Sequence, residues 1–179
     1  SDFELYGGRV GTYGGPGRNF GIQNCDLLFG LGTRVSGRIT GGNPATFARE
    51  AKKYIVDIDT GLLKKKYQPV KFHENIYCDL NIFVNIFLDE IKKFDKSKLN
   101  FDAWNKKIKF WLENYNSYKM EYSKSDGYQY KGKNYVHPYA FINSLSSHLS
   151  KNDIIVGDCG GISVLIGHSL KTKFGQRYH

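Results

Sequence analysis

At 179 residues, 40% hydrophobic and 24% charged, the chain has enough apolar content for a packed core, which excludes wholesale disorder. It carries a formal charge of +9, yet has no apolar run of the ~18 residues a membrane-spanning helix requires and no basic-then-apolar leader at its start. Its three cysteines, Cys25, Cys78 and Cys159, form no CxxC pair, so zinc is disfavoured and a reducing cytoplasm is expected.

Thirteen of the twenty glycines lie in residues 1–61, most densely from Gly7 to Gly17. Glycine permits positive φ and close backbone approach, which a loop around a phosphate or a flat cofactor needs. Arg18 to Asn24 predicts a short helix. Asp26 to Gly32 is an apolar run closed by glycine and predicts a buried parallel strand. Asn43-Pro44 predicts an N-cap and first helical residue, with a helix running to about Lys53. Tyr54 to Asp59 predicts a second buried strand, and a third short one is expected near Ile76 and Tyr77. Apolar residues at 80, 83, 84, 87, 88 and 91 have the helical period, which predicts a helix over 80–94.

Asn100 is expected to cap a further helix, from Phe101 to about Tyr115. Its stripe of Phe101, Trp104, Ile108 and Trp111 reads as packing rather than as a base-stacking platform. Ser123 to Asn134 reads as a loop or linker. His137-Pro138 opens a helix to about Leu149. Asp153 to Asp158 predicts a strand, and Ile162 to Leu170 a last helix. Strands alternating with helices at this spacing predict an α/β fold with a parallel sheet and flanking helices.

The charge is uneven. Residues 62–134 hold fifteen basic and nine acidic residues, and all fifteen are lysines. Arginine, the usual reader of phosphates and guanines, is absent there, so a solvated face is expected and no nucleic-acid partner.

Ligands of open α/β sheets bind outside the carboxyl ends of the strands. Three such ends carry candidate chemistry. After the first strand come Gly32, Thr33, Arg34 and Arg38. The two arginines lie four apart and suit a diphosphate, or else one pairs a carboxylate. After the second strand, Asp57 suits ribose hydroxyls, or else an Asx-turn, which would fit Asp59 better. After the last strand, Gly160 and Gly161 open a helix whose backbone N–H groups suit an anion. Cys159 has the setting of an activated thiol, with burial as a small hydrophobe the expected reading. His73, His137, His148, His168 and His179 show no metal-ligand spacing and read as surface or helix-end residues. No metal or catalytic residue is assigned.

Residues 8–59 resemble the central domain of thiamine-diphosphate enzymes of the acetolactate synthase type. The matching stretches run from Gly8 to Gly14, from Asn24 to Arg34, from Arg38 to Gly41 and from Ile55 to Asp59. Residues 135–175 resemble the entry to that family's carboxy-terminal cofactor domain, with Asp158-Cys159-Gly160 as its D-x-G turn. The resemblance implies thiamine diphosphate with a divalent metal such as Mg2+, a 2-keto acid substrate such as pyruvate, carboligation to an acceptor, and a homo-oligomer. It also implies FAD in some members. Val10, Gly11, Thr12 and Tyr13 would line the flavin. Gly32, Thr33, Arg34, Arg38 and Ile39 would meet its ribityl and diphosphate. Asp57 and Ile58 would meet its adenosine end, with Asp79 and Leu80 a further match. Gly160, Gly161 and Ile162 would sit near the thiamine diphosphate phosphates.

By this resemblance, residues 1–95 are part of an incomplete Rossmann-like central domain, 96–134 a helical lysine-rich linker, and 135–179 the first elements of a second α/β domain. The family's activating glutamate and its metal-binding Gly-Asp-Gly are not among these residues. A fragment inactive by itself is therefore expected. The alternative from another class is a non-catalytic module binding FAD or NAD through the same strand ends.

Overall fold

The computed structural model describes residues 5–123 and 128–179. In chain order the main elements are α1 (Pro16–Gln23), β1 (Leu27–Leu31), α2 (Gly37–Thr40), β2 (Lys52–Asp57), β3 (Glu74–Tyr77), α3 (Leu80–Lys93) and α4 (Asp102–Asn114), then β4 (Tyr128–Tyr130), β5 (Lys133–Tyr135), α5 (Pro138–His148), β6 (Ile154–Ile155), α6 (Gly161–Ser169) and β7 (Arg177–Tyr178). They form two compact units, Ser1–Phe20 with Ile108–His179, and Gly21–Lys107.

The Gly21–Lys107 unit is a three-stranded parallel sheet in the order β1-β2-β3. The expected α/β class is therefore observed. Central β2 is apolar on both faces, as a covered parallel strand must be: Ile55 and Val56 are both 0% exposed. On one face Ile55 joins Val35, Phe47, Ala48, Ala51, Val70 and Phe72 in a buried cluster. On the other, Phe29 stacks on Tyr54 at 5.2 Å, and α3 lays Phe83 and Phe87 against Phe29 at 6.4 and 5.4 Å. These two phenylalanines are four residues apart, one helical turn on one face. Asp79 starts α3 by accepting from the N–H groups of Asn81 and Ile82.

His73 extends the pairing of β2 with β3. Its N–H donates to the Lys53 carbonyl at 2.7 Å, and its ring Nδ1 accepts from the Lys53 N–H at 3.0 Å. The ring thus serves as a ladder acceptor.

The helix expected from Asn43 to Lys53 is not formed. Asn43 caps only a single 3-10 turn, Pro44–Thr46, its side chain accepting from the Ala45 N–H. Ala48 then adopts φ +44, which no α-helix tolerates, with its N–H donating to the Gln23 side chain at 3.0 Å. Burial of Phe47 and Ala48, and the pairing of Lys52 with Leu27, override the local signal.

In the other unit, Ile142, Ile166 and Leu170 form the core, with Leu149, Ile155, Leu165 and Tyr178 packed against them. His137 caps α5 by accepting the Tyr139 N–H at Nδ1, and Tyr122 stacks on its ring at 3.8 Å. Part of the expected 123–134 loop, residues 124–127, lies outside the described residues. The remainder corrects the expectation, because β4 and β5 form a hairpin with Tyr130 opposite Lys133. Lys131 and Gly132 both take positive φ, 50° and 72°, as a two-residue type I′ turn demands. The expected strand 153–158 shortens to β6, because its partner is only the two-residue β7.

The expected aromatic stripe of α4 is only partly packed. Trp111 meets Phe20 edge-on at 6.0 Å, whereas Phe101 is 58% exposed. Lys92, Lys93, Lys106 and Lys109 lie on exposed faces, and Lys92 and Lys93 pair with Asp89 and Glu90 one turn back.

Candidate functional site

Parallel order and register bring three carboxyl ends to one edge of the sheet. Gly32 leaves β1 at φ +59, its N–H bonded to the Val56 carbonyl at 2.9 Å. A Cβ there would meet only Leu80 Cδ2, at 3.6 Å. Asp57 ends β2, and its carbonyl accepts from the Cys78 N–H at the end of β3. Its Oδ1 accepts the Asp59 N–H at 2.9 Å, while Asp59 Oδ1 accepts from Gly61 at 2.7 Å and Leu62 at 3.3 Å. Both acids therefore make Asx-turns. Leu31, Ile58 and Leu80 are exposed beside them, by 42%, 62% and 38%. This edge offers a flat apolar strip, one carboxylate and open space above a glycine. Arg34 and Arg38 are exposed on the β1–α2 segment, whereas Ile39 packs against the buried cluster. Thr33 Oγ1 accepts from the Val35 N–H at 3.4 Å.

The glycine-rich segment belongs to the other unit. Gly11–Tyr13 is a 3-10 turn that follows Val10. Asn19 holds it, its Oδ1 accepting the Gly11 N–H at 2.7 Å and its Nδ2 donating to the carbonyls of Gly11 and Gly14. His168 Nε2 lies 2.9 Å from the Thr12 carbonyl and its Nδ1 2.8 Å from the Tyr139 hydroxyl. The carbonyl accepts only, so Nε2 carries a proton, and in the neutral ring Nδ1 accepts from tyrosine. Tyr13 packs against Gly167, where a Cβ would come within 2.8 Å of it. Arg9 and Arg18 donate to the Gly167 carbonyl at 3.4 and 3.3 Å, placing cations at the negative end of α6.

Gly160 caps α6 at φ +122 with no side-chain cap bond, and a Cβ at Gly160 or Gly161 would meet nothing within 4 Å. Free backbone at a helix start, with no side chain in the way, is a cradle that suits phosphate oxygens. Ile162 is 40% exposed there. The Gly11–Tyr13 turn meets α6 near Gly167, ~9 Å along the axis from Gly161, so these two groups are not brought together.

Residues 1–98 match the family model for the thiamine pyrophosphate enzyme central domain. The chain belongs to that family. Among its relatives, a probable acetolactate synthase large subunit from Methanococcus aeolicus is 32% identical, aligned over 93% of this chain and 27% of its own length. The acetolactate synthase large subunit of Cyanidium caldarium is 28% identical over 96% of this chain and 27% of its own. An acetolactate synthase isozyme 2 large subunit from Escherichia coli is 33% identical over 53% and 17%. The chain thus spans about a quarter of the length of the relatives that align along most of it.

Within this thiamine pyrophosphate family chain, sequence reasoning missed Asn19, Arg9, Arg18 and His168 as organisers of the glycine segment. Their partners are backbone carbonyls and N–H groups, which leave no pattern in side-chain chemistry. Cys159, expected buried, is exposed, because it sits in the turn before α6. Cys25 is half-buried; burial pushes its thiol above the ordinary value, and its Sγ lies 3.1 Å from the Ile22 carbonyl. Among the described residues no group of three His, Cys, Asp or Glu is arranged to hold a metal, and no helix is long and apolar enough to cross a membrane.

Proposed function

We propose that this chain works as part of an acetolactate-synthase-like polypeptide that decarboxylates a 2-keto acid such as pyruvate and joins the remaining carbons to an acceptor. The observation that carries the reading is the three-strand carboxyl edge in a chain of this family, where Gly32 and Asp57 stand at the ends of two adjacent parallel strands and Leu80 opens the helix after the third. Relatives aligned over more than nine-tenths of the chain bear the synthase name, which favours this reading over a non-catalytic FAD or NAD module.

Thiamine diphosphate, when bound with Mg2+, supplies the electron sink for decarboxylation. This chain's part is to hold and orient. Gly160, Gly161 and Ile162 would offer the start of α6 to its phosphates. The β-strand edge would take FAD, with Arg34 and Arg38 toward the diphosphate, Asp57 accepting from ribose hydroxyls, and Ile58 and Leu80 against the adenine. Residues 135–179 would be the first elements of the thiamine diphosphate domain and 96–134 the linker, in a cytoplasmic homo-oligomer.

Two measurements test this. FAD added to the chain should be bound with quenching of its fluorescence, and Asp57→Ala should weaken binding about tenfold, the equivalent of ~1.4 kcal/mol. No quenching, or an Asp57→Ala variant equal to wild type, removes flavin from the proposal. With pyruvate, thiamine diphosphate and Mg2+, the 179 residues alone are expected to form no acetolactate, whereas the longer polypeptide carrying them forms it. Turnover by the short chain, or none by the long one, overturns the division of labour.

A further inference from the structure

The unit built from Ser1–Phe20 and Ile108–His179 contains a cavity of about 740 Å3 lined by the glycine-rich segment, the end of α4, one face of α5 and residues 168–173. None of the residues assigned above to thiamine diphosphate or FAD lines it. Its walls carry four permanent cations, Arg9, Arg18, Lys171 and Lys173, and no aspartate or glutamate. Among the described residues, no carboxylate lies within ion-pair distance of any of the four.

Part of this charge is used locally. Arg9 and Arg18 donate to carbonyls at the end of α6, and Lys173 donates to the Ser147 and Leu149 carbonyls at the end of α5. Each helix end contributes roughly half a negative charge. Two ends therefore offset about one of the four cations and, among the described residues, leave about three uncompensated. Lys171 is exposed; its backbone N–H donates to Ser146 Oγ at 3.1 Å, and among the described residues its ammonium group has no partner. Hydroxyls of Ser117 and Ser144 and the Asn143 amide add neutral polar groups to the wall, while Ser147 Oγ donates to the Ser144 carbonyl at 2.7 Å. Burial holds the Arg18 guanidinium below its ordinary value, the mark of a cation that an anion would stabilise.

We propose that this cavity binds a phosphorylated small molecule, its phosphate oxygens taken by Lys171 with Arg9 and Arg18 and its remainder by the hydroxyl-lined wall. The volume lies within the ~300–1,000 Å3 of small-molecule sites. Guanidinium and ammonium donors without a competing carboxylate select oxyanions of high charge density.

The test is calorimetric titration of the chain with inorganic pyrophosphate. Binding is expected at low ionic strength and should weaken as salt shortens the screening length. Lys171→Gln, an exposed change that leaves the fold alone, should lower affinity about tenfold. Lys106→Gln, an exposed change in the other unit at a residue assigned to no site, should leave it unchanged. Absence of binding to the wild-type chain overturns the proposal, and so does an affinity that Lys171→Gln does not alter. Equal losses in Lys171→Gln and Lys106→Gln would mark diffuse attraction to a basic protein and overturn it too.

Discussion

Gly17→Ala should lower stability by about 2–3 kcal/mol, although it adds a single methyl group. A Cβ at Gly17 would stand 2.1 Å from the Trp111 carbonyl oxygen and 2.7 Å from its carbon. Both are backbone atoms within α4, so no rotamer change relieves the overlap. Helix α1 would have to move away, costing the Gly17 N–H bond to the Tyr115 carbonyl at 3.3 Å and the edge-on packing of Phe20 with Tyr115 at 5.0 Å. The melting temperature should fall by roughly 4–12 °C for a chain of this size. Gly161→Ala is the control, since its Cβ meets nothing within 4 Å and alanine favours a helical first turn. Equal melting of Gly17→Ala and wild type would show that the two helices do not approach this closely.

The second large effect belongs to the other unit. Phe47→Ala removes a side chain that is 1% exposed at the centre of the cluster with Val35, Ile55, Val70 and Phe72. The expected loss is ~3–5 kcal/mol, from lost transfer energy plus the cavity left behind. That is a large part of the 5–15 kcal/mol typical of a whole domain. Urea unfolding should move to a lower midpoint, and Phe47→Leu should recover much of the difference. A small shift would mean that the neighbours collapse into the space, most simply through the short Ala48–Ala51 segment.

Much of the α/β unit was legible because its signals agree across levels. The strands expected at 26–32 and 54–59 form at 27–31 and 52–57, the period-3.6 pattern from Leu80 is a helix, and Asn100 sits at the start of α4 as its chemistry favours. The errors fall where a local signal met a distant competitor. Asn43-Pro44 is a sound helix start, but Phe47 and Ala48 are drawn into the core and Lys52 into the sheet. The hairpin leaves a weak signal, since Lys131-Gly132 is not among the dipeptides that favour a two-residue turn and Lys131 takes a positive φ that lysine rarely adopts.

Of the candidate site, Gly32 and Asp57 at strand ends and Leu80 at the start of the next helix could be read together because parallel topology collects them. The setting of Gly11 and Thr12 could not. It depends on Asn19 and His168 bonding to backbone, and on Gly167 making room for Tyr13.

The clamp that Asn19 places on Gly11 also bears on the order of assembly. Its partners are 8 positions apart, whereas the Arg9 and Arg18 bonds to Gly167 span 158 and 149 positions. Closing the longer loop costs about 2–3 kcal/mol more in chain entropy than closing the short one, as the logarithm of the length ratio. The turn of the glycine segment can thus form from its own neighbours at the start of folding. The arginines then fasten an already shaped piece onto α6, so the late step fixes the position of the segment without having to create its conformation.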